Sequence, residues 1–257
     1  MNRKKVALAL GGGAARGLAH IGVLQVFMEN NIPIDYVAGC SMGAVIGGIF
    51  CTGSDMYKLA QLSITLSEHD ILDVTLPKQG LIRGKRTEKM IEMLTKGYTF
   101  EQCVIPFAAA ACDLTTSSSV TLREGSVARA IRASISLPGV FVPVEWGDMT
   151  LVDGGVIHRV PIEIAREMGG EYIIAVDVAF RGWKRHKPAN MIETLYQAFE
   201  TMDWQMTQKN LPSSDLIIAP NVADCDEKNF QDAERCVEAG RIAALSAIER
   251  IKQDLGL

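Results

Sequence analysis

Ten residues constrain this chain more than any others: Asp35-Tyr36-Val37-Ala38-Gly39-Cys40-Ser41-Met42-Gly43-Ala44. A short apolar run ends in Gly-x-Ser-x-Gly, and a helix of small residues, with Ala44, Gly47 and Gly48 among its first, begins at once. The pattern reads as a nucleophile elbow, a strand-to-helix reversal sharp enough to leave its central Ser41 strained and exposed at the sheet edge. Gly39 and Gly43 flank that serine because side chains there would clash where strand and helix nearly touch. The helix N-terminus turns partial positive charge toward the serine, which favours an alkoxide or a tetrahedral oxyanion.

An elbow serine needs electrostatic help and a base, so the glycine loop upstream matters. Val6-Ala7-Leu8-Ala9-Leu10 reads as a fully buried strand, and Gly11-Gly12-Gly13-Ala14-Ala15-Arg16-Gly17 as a loop opening a helix over 18–29. A dinucleotide fingerprint would read Gly-x-Gly-x-x-Gly, but Arg16 holds the third position. Asp35, the acidic residue that would hold a ribose, stands before a strand rather than at the end of one. The other reading is an oxyanion hole, in which unhindered N–H groups of Gly11, Gly12 and Gly13 aim at a developing negative oxygen. Three consecutive glycines plus an arginine exceed what a tight turn needs, which favours this second reading.

At 257 residues, 48% of them apolar, the chain has enough core for one α/β domain spanning 1–257, with its core motifs in about 6–178. The net charge is −4, and no basic run alternates with aromatics, which argues against nucleic acid as a partner. Six cysteines are scattered without a Cys-x-x-Cys pair. They read as reduced thiols of a cytoplasmic protein, with neither a metal site nor a cofactor implied. The apolar run after Lys5 is too short for a secretory signal and stops at glycines. No stretch approaches the ~20 apolar residues of a membrane span. Membrane contact is therefore expected to be peripheral, at the inner membrane surface.

Farther along, helices are expected from Ser54 to about Ser67 and over 87–94, in a block with Pro77 and Gly80 that shapes a pocket wall. His69 lies in it and reads as a surface residue. A buried strand is expected over 104–112, a short one over 120–122, and a helix capped by Ser126 that ends before Pro138. A hairpin over 141–152, turning at Trp146-Gly147-Asp148, then delivers Asp153-Gly154-Gly155. A helix from Pro161, a strand over 172–178, a strand over 216–219 and a closing helix over 231–255 complete an alternation that argues for a mainly parallel sheet with helices on both faces.

Ser41 requires a proton acceptor. The chain holds four histidines, His20, His69, His158 and His186. None follows a buried strand after an acid, in the chain order Ser…Asp…His expected of an α/β-hydrolase. His158 is the rival to Asp153, since it lies just past it. A turn role is the ordinary reading of Asp-Gly, but Asp153 stands at a strand end where a rigidly held carboxylate would serve the serine.

The glycine loop, the elbow Gly39-Cys40-Ser41-Met42-Gly43, the block Ala133-Ser134-Ile135-Ser136-Leu137-Pro138-Gly139-Val140-Phe141 and Asp153-Gly154-Gly155 together resemble the patatin-like phospholipases in their short bacterial form. The resemblance implies a Ser–Asp dyad without histidine, with Ser41 as nucleophile and Asp153 as base. It also implies that the glycine loop holds the oxyanion, that Arg16 fixes the loop or neutralises charge nearby, and that Gly154 and Gly155 support the aspartate. The implied substrates are lipid acyl esters. Cys40 stands where threonine is frequent in the family and reads as a packing residue.

The remaining signals concern delivery of the substrate. Arg181, Trp183, Lys184, Arg185 and Lys187 form a basic loop suited to anionic headgroups. Asn190 caps a helix whose apolar positions Met191, Leu195, Phe199, Met202 and Met206 would line or lid an acyl tunnel, form a homodimer interface, or simply face the core. The leading expectation is a serine acyl-ester hydrolase. The alternative is a regulatory or scaffold protein with low residual esterase activity.

Overall fold

The computed structural model describes residues 3–65, 73, 80–179, 187–226 and 230–257. Its centre is β1 (Val6–Leu10), whose five residues are all fully buried. Successive side chains of a strand point to opposite faces. Val6, Leu8 and Leu10 therefore enter a large core, while Ala7 and Ala9 enter a thinner one with Ala38, Ala108, Ala110 and Ala175. Burial on both faces is what continuous apolar strands of a parallel sheet require.

Parallel pairing joins β10 (Leu216–Ile218), β9 (Tyr172–Val176), β1, β2 (Tyr36–Cys40) and β4 (Phe107–Asp113) in that order. The β4 strand also takes antiparallel partners, β5 (Ser118–Leu122) on one edge and β8 (Met149–Asp153) on the other, with β7 (Val144–Trp146) beyond β8. A separate pair, β3 (Gly80–Ile82) with β6 (Gly139–Phe141), is parallel. The helices α1 (Ala19–Glu29), α2 (Met42–Cys51), α3 (Met56–Thr65), α4 (Lys85–Leu94) and α5 (Val127–Ser134) contribute to the large core, and α6 (Ile162–Glu167) covers the alanine-rich face. The chain then forms α7 (Met191–Asn210), α8 (Ala233–Leu245) and α9 (Ile248–Leu255). The architecture is α/β, a sheet with a five-strand parallel core and helices on both faces.

Several boundaries differ from expectation for identifiable reasons. The strand expected over 104–112 begins only at Phe107, because Val104 is drawn off by its N–H bond to the Cys51 carbonyl and stands exposed. Phe141 leaves the expected hairpin and ends β6, where the Arg132 guanidinium lies over its ring. The closing helix is two helices, broken where the Ala247 N–H bonds to the Ala244 carbonyl, so that Ile248, Ile251 and Leu255 can turn inward. His69, Pro77 and residues 181–186 of the basic loop, His186 included, lie outside the described residues. Among the described residues no helix is long and apolar enough to cross a membrane.

Of the readings open for the helix capped by Asn190, the one that turns its apolar stripe to the core does not hold for Met191, Leu195 and Met202. Met191, Leu195 and Met202 face outward, with 74%, 64% and 65% of their surface exposed, while Asp203 and Thr207 are buried. The inward carboxylate is what changes the outcome: Asp203 pairs with Arg159, a buried cation that an apolar face could not satisfy.

Candidate active site

Parallel strands place their following loops at one sheet end, and ligands of open α/β sheets sit there. The β1 strand delivers the glycine loop and β2 delivers Ser41. Asp35 lies at the other end: its carboxylate takes the Val6 N–H, Arg3 and Lys5, and these partners hold its pKa at about 2. Its N–H bonds to the Val6 carbonyl. The aspartate fastens the start of β1 to that of β2, at the end of the strands opposite the glycine loop, which removes the dinucleotide arrangement.

Ser41 and Asp153 meet because β2 and β8 share one edge of β4. Cys40 pairs with Ala110, and the next β4 residue, Ala111, pairs with Asp153. The two strands thus arrive at adjacent positions from opposite directions, and the chain after Cys40 has to turn away. It does so at Ser41, with φ 51° and ψ −123°, a conformation that costs a non-glycine residue roughly 1–3 kcal/mol. The turn is held from both sides. Ser134 Oγ donates to the Ala110 carbonyl (2.6 Å) and accepts the Ser41 N–H (3.0 Å), while the Ser41 carbonyl takes the first amides of α2, Ala44 and Val45. The Ser41 hydroxyl makes no capping bond to α2. Ser134 and Ser136 sit in a block that the sequence marked without assigning roles. Ser136 supplies the carbonyl that holds the Asp153 N–H.

Asp153 is 3% exposed. Its Oδ1 accepts the Gly155 N–H at 2.8 Å and the Cys40 thiol at 3.6 Å. Burial raises its pKa, and hydrogen bonding from Gly155, Ser41 and Cys40 holds it back. Cys40 is therefore more than packing. Burial first, and then the Asp153 charge, push its thiol well up, so it stays protonated and acts as a donor. Cys40→Val is expected to move the acid limb of the kcat/KM–pH profile upward by roughly half a unit, the size of one weak hydrogen bond. Cys40→Ser should restore the profile. An unmoved limb in Cys40→Val would show that the thiol does not tune the carboxylate.

His158 is not brought to the pair. Its ring lies 3.7 Å from Glu163, and its N–H bonds to the Gly154 carbonyl. The glycine loop differs in detail from expectation. The Gly11 N–H donates to the Val176 carbonyl and the Gly12 N–H to the Arg159 carbonyl, each at 3.0 Å. Both amides are thus committed to the backbone rather than open toward a substrate oxygen, as the sequence reading had them. Gly12 nevertheless lies against the serine, since a Cβ there would stand 3.2 Å from the Ser41 Cβ. Arg16 is buried, and its Nε donates to the Cys225 carbonyl at 3.2 Å, which anchors the far end of the loop.

Two residues that the sequence reading left without a role grip the loop. His20 is fully buried and its Nε2 donates to the Gly11 carbonyl at 2.7 Å. Burial lowers its pKa to about 4, so the ring is neutral in the folded state. An unfolded His20 takes a proton below about pH 6.5 and the folded one does not. Its contribution is therefore complete above pH 6.5 and lost as the pH falls toward 4, about 3 kcal/mol in all. Urea unfolding at stepped pH should show a steeper acid loss in wild type than in His20→Gln, and equal slopes would mean the ring is not held neutral. Arg159 is 9% exposed, donates through Nε to the Gly12 carbonyl (3.0 Å) and pairs with Asp203 and Glu200. Burial alone would lower its pKa, but the facing carboxylates overcome that and raise it, so the guanidinium is permanently charged.

A family model described as patatin-like phospholipase matches residues 8–166. An NTE family protein of Mycobacterium tuberculosis, strain H37Rv, is 31% identical over 96% of this chain and 47% of its own length. Patatin-like phospholipase domain-containing protein 6 of Mus musculus is 34% identical over 67% of this chain and 13% of its own. The chain thus spans half or less of the length of the curated relatives it matches. Among solved structures, VipD from Legionella pneumophila superposes with a TM-score of 0.69 over 97% of this chain and 67% of that one, at 14% identity, a likeness of fold.

Proposed function

The chain belongs to the patatin-like phospholipase family, and from that premise we propose that it is a lipid acyl hydrolase working through a Ser41–Asp153 dyad and an acyl-enzyme. The observation that carries the reading is the meeting of a strained serine and a buried carboxylate at neighbouring positions on one edge of β4. Asp153 takes the Ser41 proton as the oxygen attacks an ester carbonyl, and burial strengthens it as a base. The tetrahedral intermediate carries its charge on the former carbonyl oxygen. Its donors in this reading are the Gly13 N–H, which makes no hydrogen bond among the described residues, and the Met42 N–H at the start of α2. Asp153 returns the proton to the departing alcohol, then takes one from water as the acyl-enzyme is hydrolysed.

Family membership points to acyl lipids as the ester class, and the outward Met191, Leu195 and Met202 of α7 suit approach to a lipid surface. The test is hydrolysis of p-nitrophenyl esters of increasing chain length, free and in phosphatidylcholine vesicles. Activity rising with acyl length supports the lipid reading, and a short-ester optimum indifferent to vesicles restricts the protein to carboxylesterase chemistry. No hydrolysis and no labelling by a fluorophosphonate would overturn the enzyme reading.

A further inference from the structure

We infer that Arg159 is a positioning residue that aims the Gly13 N–H at the oxyanion, with Asp203 of α7 holding Arg159 in place. The inference rests on the hydrolase reading above and adds a residue to it.

The argument is one of peptide planarity. A trans peptide is a rigid plane whose C=O and N–H point in opposite directions. Arg159 Nε fixes the Gly12 carbonyl. That carbonyl and the Gly13 N–H belong to the same plane, so holding the oxygen sets the direction of the amide. The neighbouring plane is held in the same way, with His20 on the Gly11 carbonyl and the Gly12 N–H on the Arg159 carbonyl. Arg159 therefore touches two successive peptides of the loop, one through its backbone and one through its side chain. Gly12 lies between Arg159 and the nucleophile: a Cβ on it would stand 3.7 Å from Arg159 Cγ and 3.2 Å from Ser41 Cβ. A glycine loop has little stiffness of its own, so an external grip is what fixes its aim.

A buried guanidinium is held only where its charge is met. Asp203, 2% exposed, faces Nη1, and Glu200 one turn earlier stands 3.5 Å from the same nitrogen. Thr207 Oγ1 lies 3.4 Å from the other Asp203 oxygen. These groups lie on the inward face of α7, so the setting of that helix reaches the oxyanion loop through one side chain.

The experiment compares wild type with Arg159→Lys, Arg159→Met, Asp203→Leu and the double variant Arg159→Met/Asp203→Leu, using a soluble p-nitrophenyl ester and thermal melts. Arg159→Lys keeps a charge for Asp203 but lacks the fork that reaches both partners. It should melt near wild type with kcat lowered roughly 10- to 100-fold and KM within about twofold, part of the loss seen when an oxyanion donor is removed. The single neutral variants leave a buried charge unpaired and should melt early. The double variant removes both charges, so its melting temperature should recover while kcat stays low. A wild-type kcat in Arg159→Lys or in the recovered double variant would reduce Arg159 to a structural ion pair and overturn the inference. An inactive wild type would instead sink the hydrolase reading, and the positioning role with it.

Discussion

Asp153→Asn is expected to lower kcat/KM for ester hydrolysis by roughly 10⁴-fold while the protein becomes no less stable. The loss corresponds to about 5.5 kcal/mol of barrier, the scale expected when a serine loses the group that takes its proton. The stability half follows from the sign of the pKa shift. Folding raises the Asp153 pKa, chiefly by burial, so the ionised form is the one that folding disfavours. Above the ordinary carboxylate range this charge therefore subtracts from stability, and a neutral amide that still accepts the Gly155 N–H removes the penalty. Activity and melting temperature should move in opposite directions, as expected of a residue kept for chemistry. His158→Ala supplies the contrast, because its ring engages Glu163. It should keep kcat/KM within about twofold, since surface changes away from a site are usually small. Fluorophosphonate labelling should vanish in Ser41→Ala and slow in Asp153→Asn. Loss of activity in His158→Ala with Asp153→Asn intact would overturn the dyad.

Much of this was legible in the sequence because the constraints are local. The elbow is written in five consecutive residues, and the buried strands in unbroken apolar runs with turn signals beside them. Asp153 could be singled out as a strand-end carboxylate beside two glycines. That it meets Ser41 depends on β8 taking over the β4 edge that β2 vacates, which brings together two residues more than 100 positions apart in the chain. Long-range partners account for the other surprises as well. Arg159 carries no local signal between His158 and Val160, and only the fold places Gly12 and Asp203 on either side of it. The apolar stripe of α7 was visible as a periodicity. Which face turned inward was decided by Asp203 and its buried partner rather than by hydropathy. Cys40 read as packing because nothing in its own neighbourhood indicates that the Asp153 carboxylate arrives 3.6 Å away.

Gly43→Ala should be strongly damaging, and Gly47→Ala, one turn along the same helix, nearly silent. A Cβ at Gly43 would stand 2.1 Å from the Leu10 carbonyl oxygen, 2.5 Å from its carbon and 2.7 Å from the Gly11 oxygen. All three are backbone atoms at the root of the glycine loop, and none can rotate away. Overpacking of this kind costs about 3 kcal/mol or more, because the strand itself has to shift. At Gly47 the nearest atoms are side-chain tips, Val37 Cγ1 at 3.0 Å and Leu10 Cδ1 at 3.1 Å. Both can yield by a few tenths of an ångström. The gain of about 1 kcal/mol from alanine over glycine inside a helix offsets that strain. The consequence for function is separate from that for stability. Any folded Gly43→Ala molecules must have moved Leu10 and Gly11 away from α2, and the oxyanion loop moves with them relative to Ser41. Denaturant titration should therefore show a large fall for Gly43→Ala and none beyond error for Gly47→Ala. The folded fraction of Gly43→Ala should label with fluorophosphonate far more slowly than wild type. Equal labelling per folded molecule would mean that the loop is positioned independently of the elbow, and would remove the link between the tight strand–helix approach and catalysis.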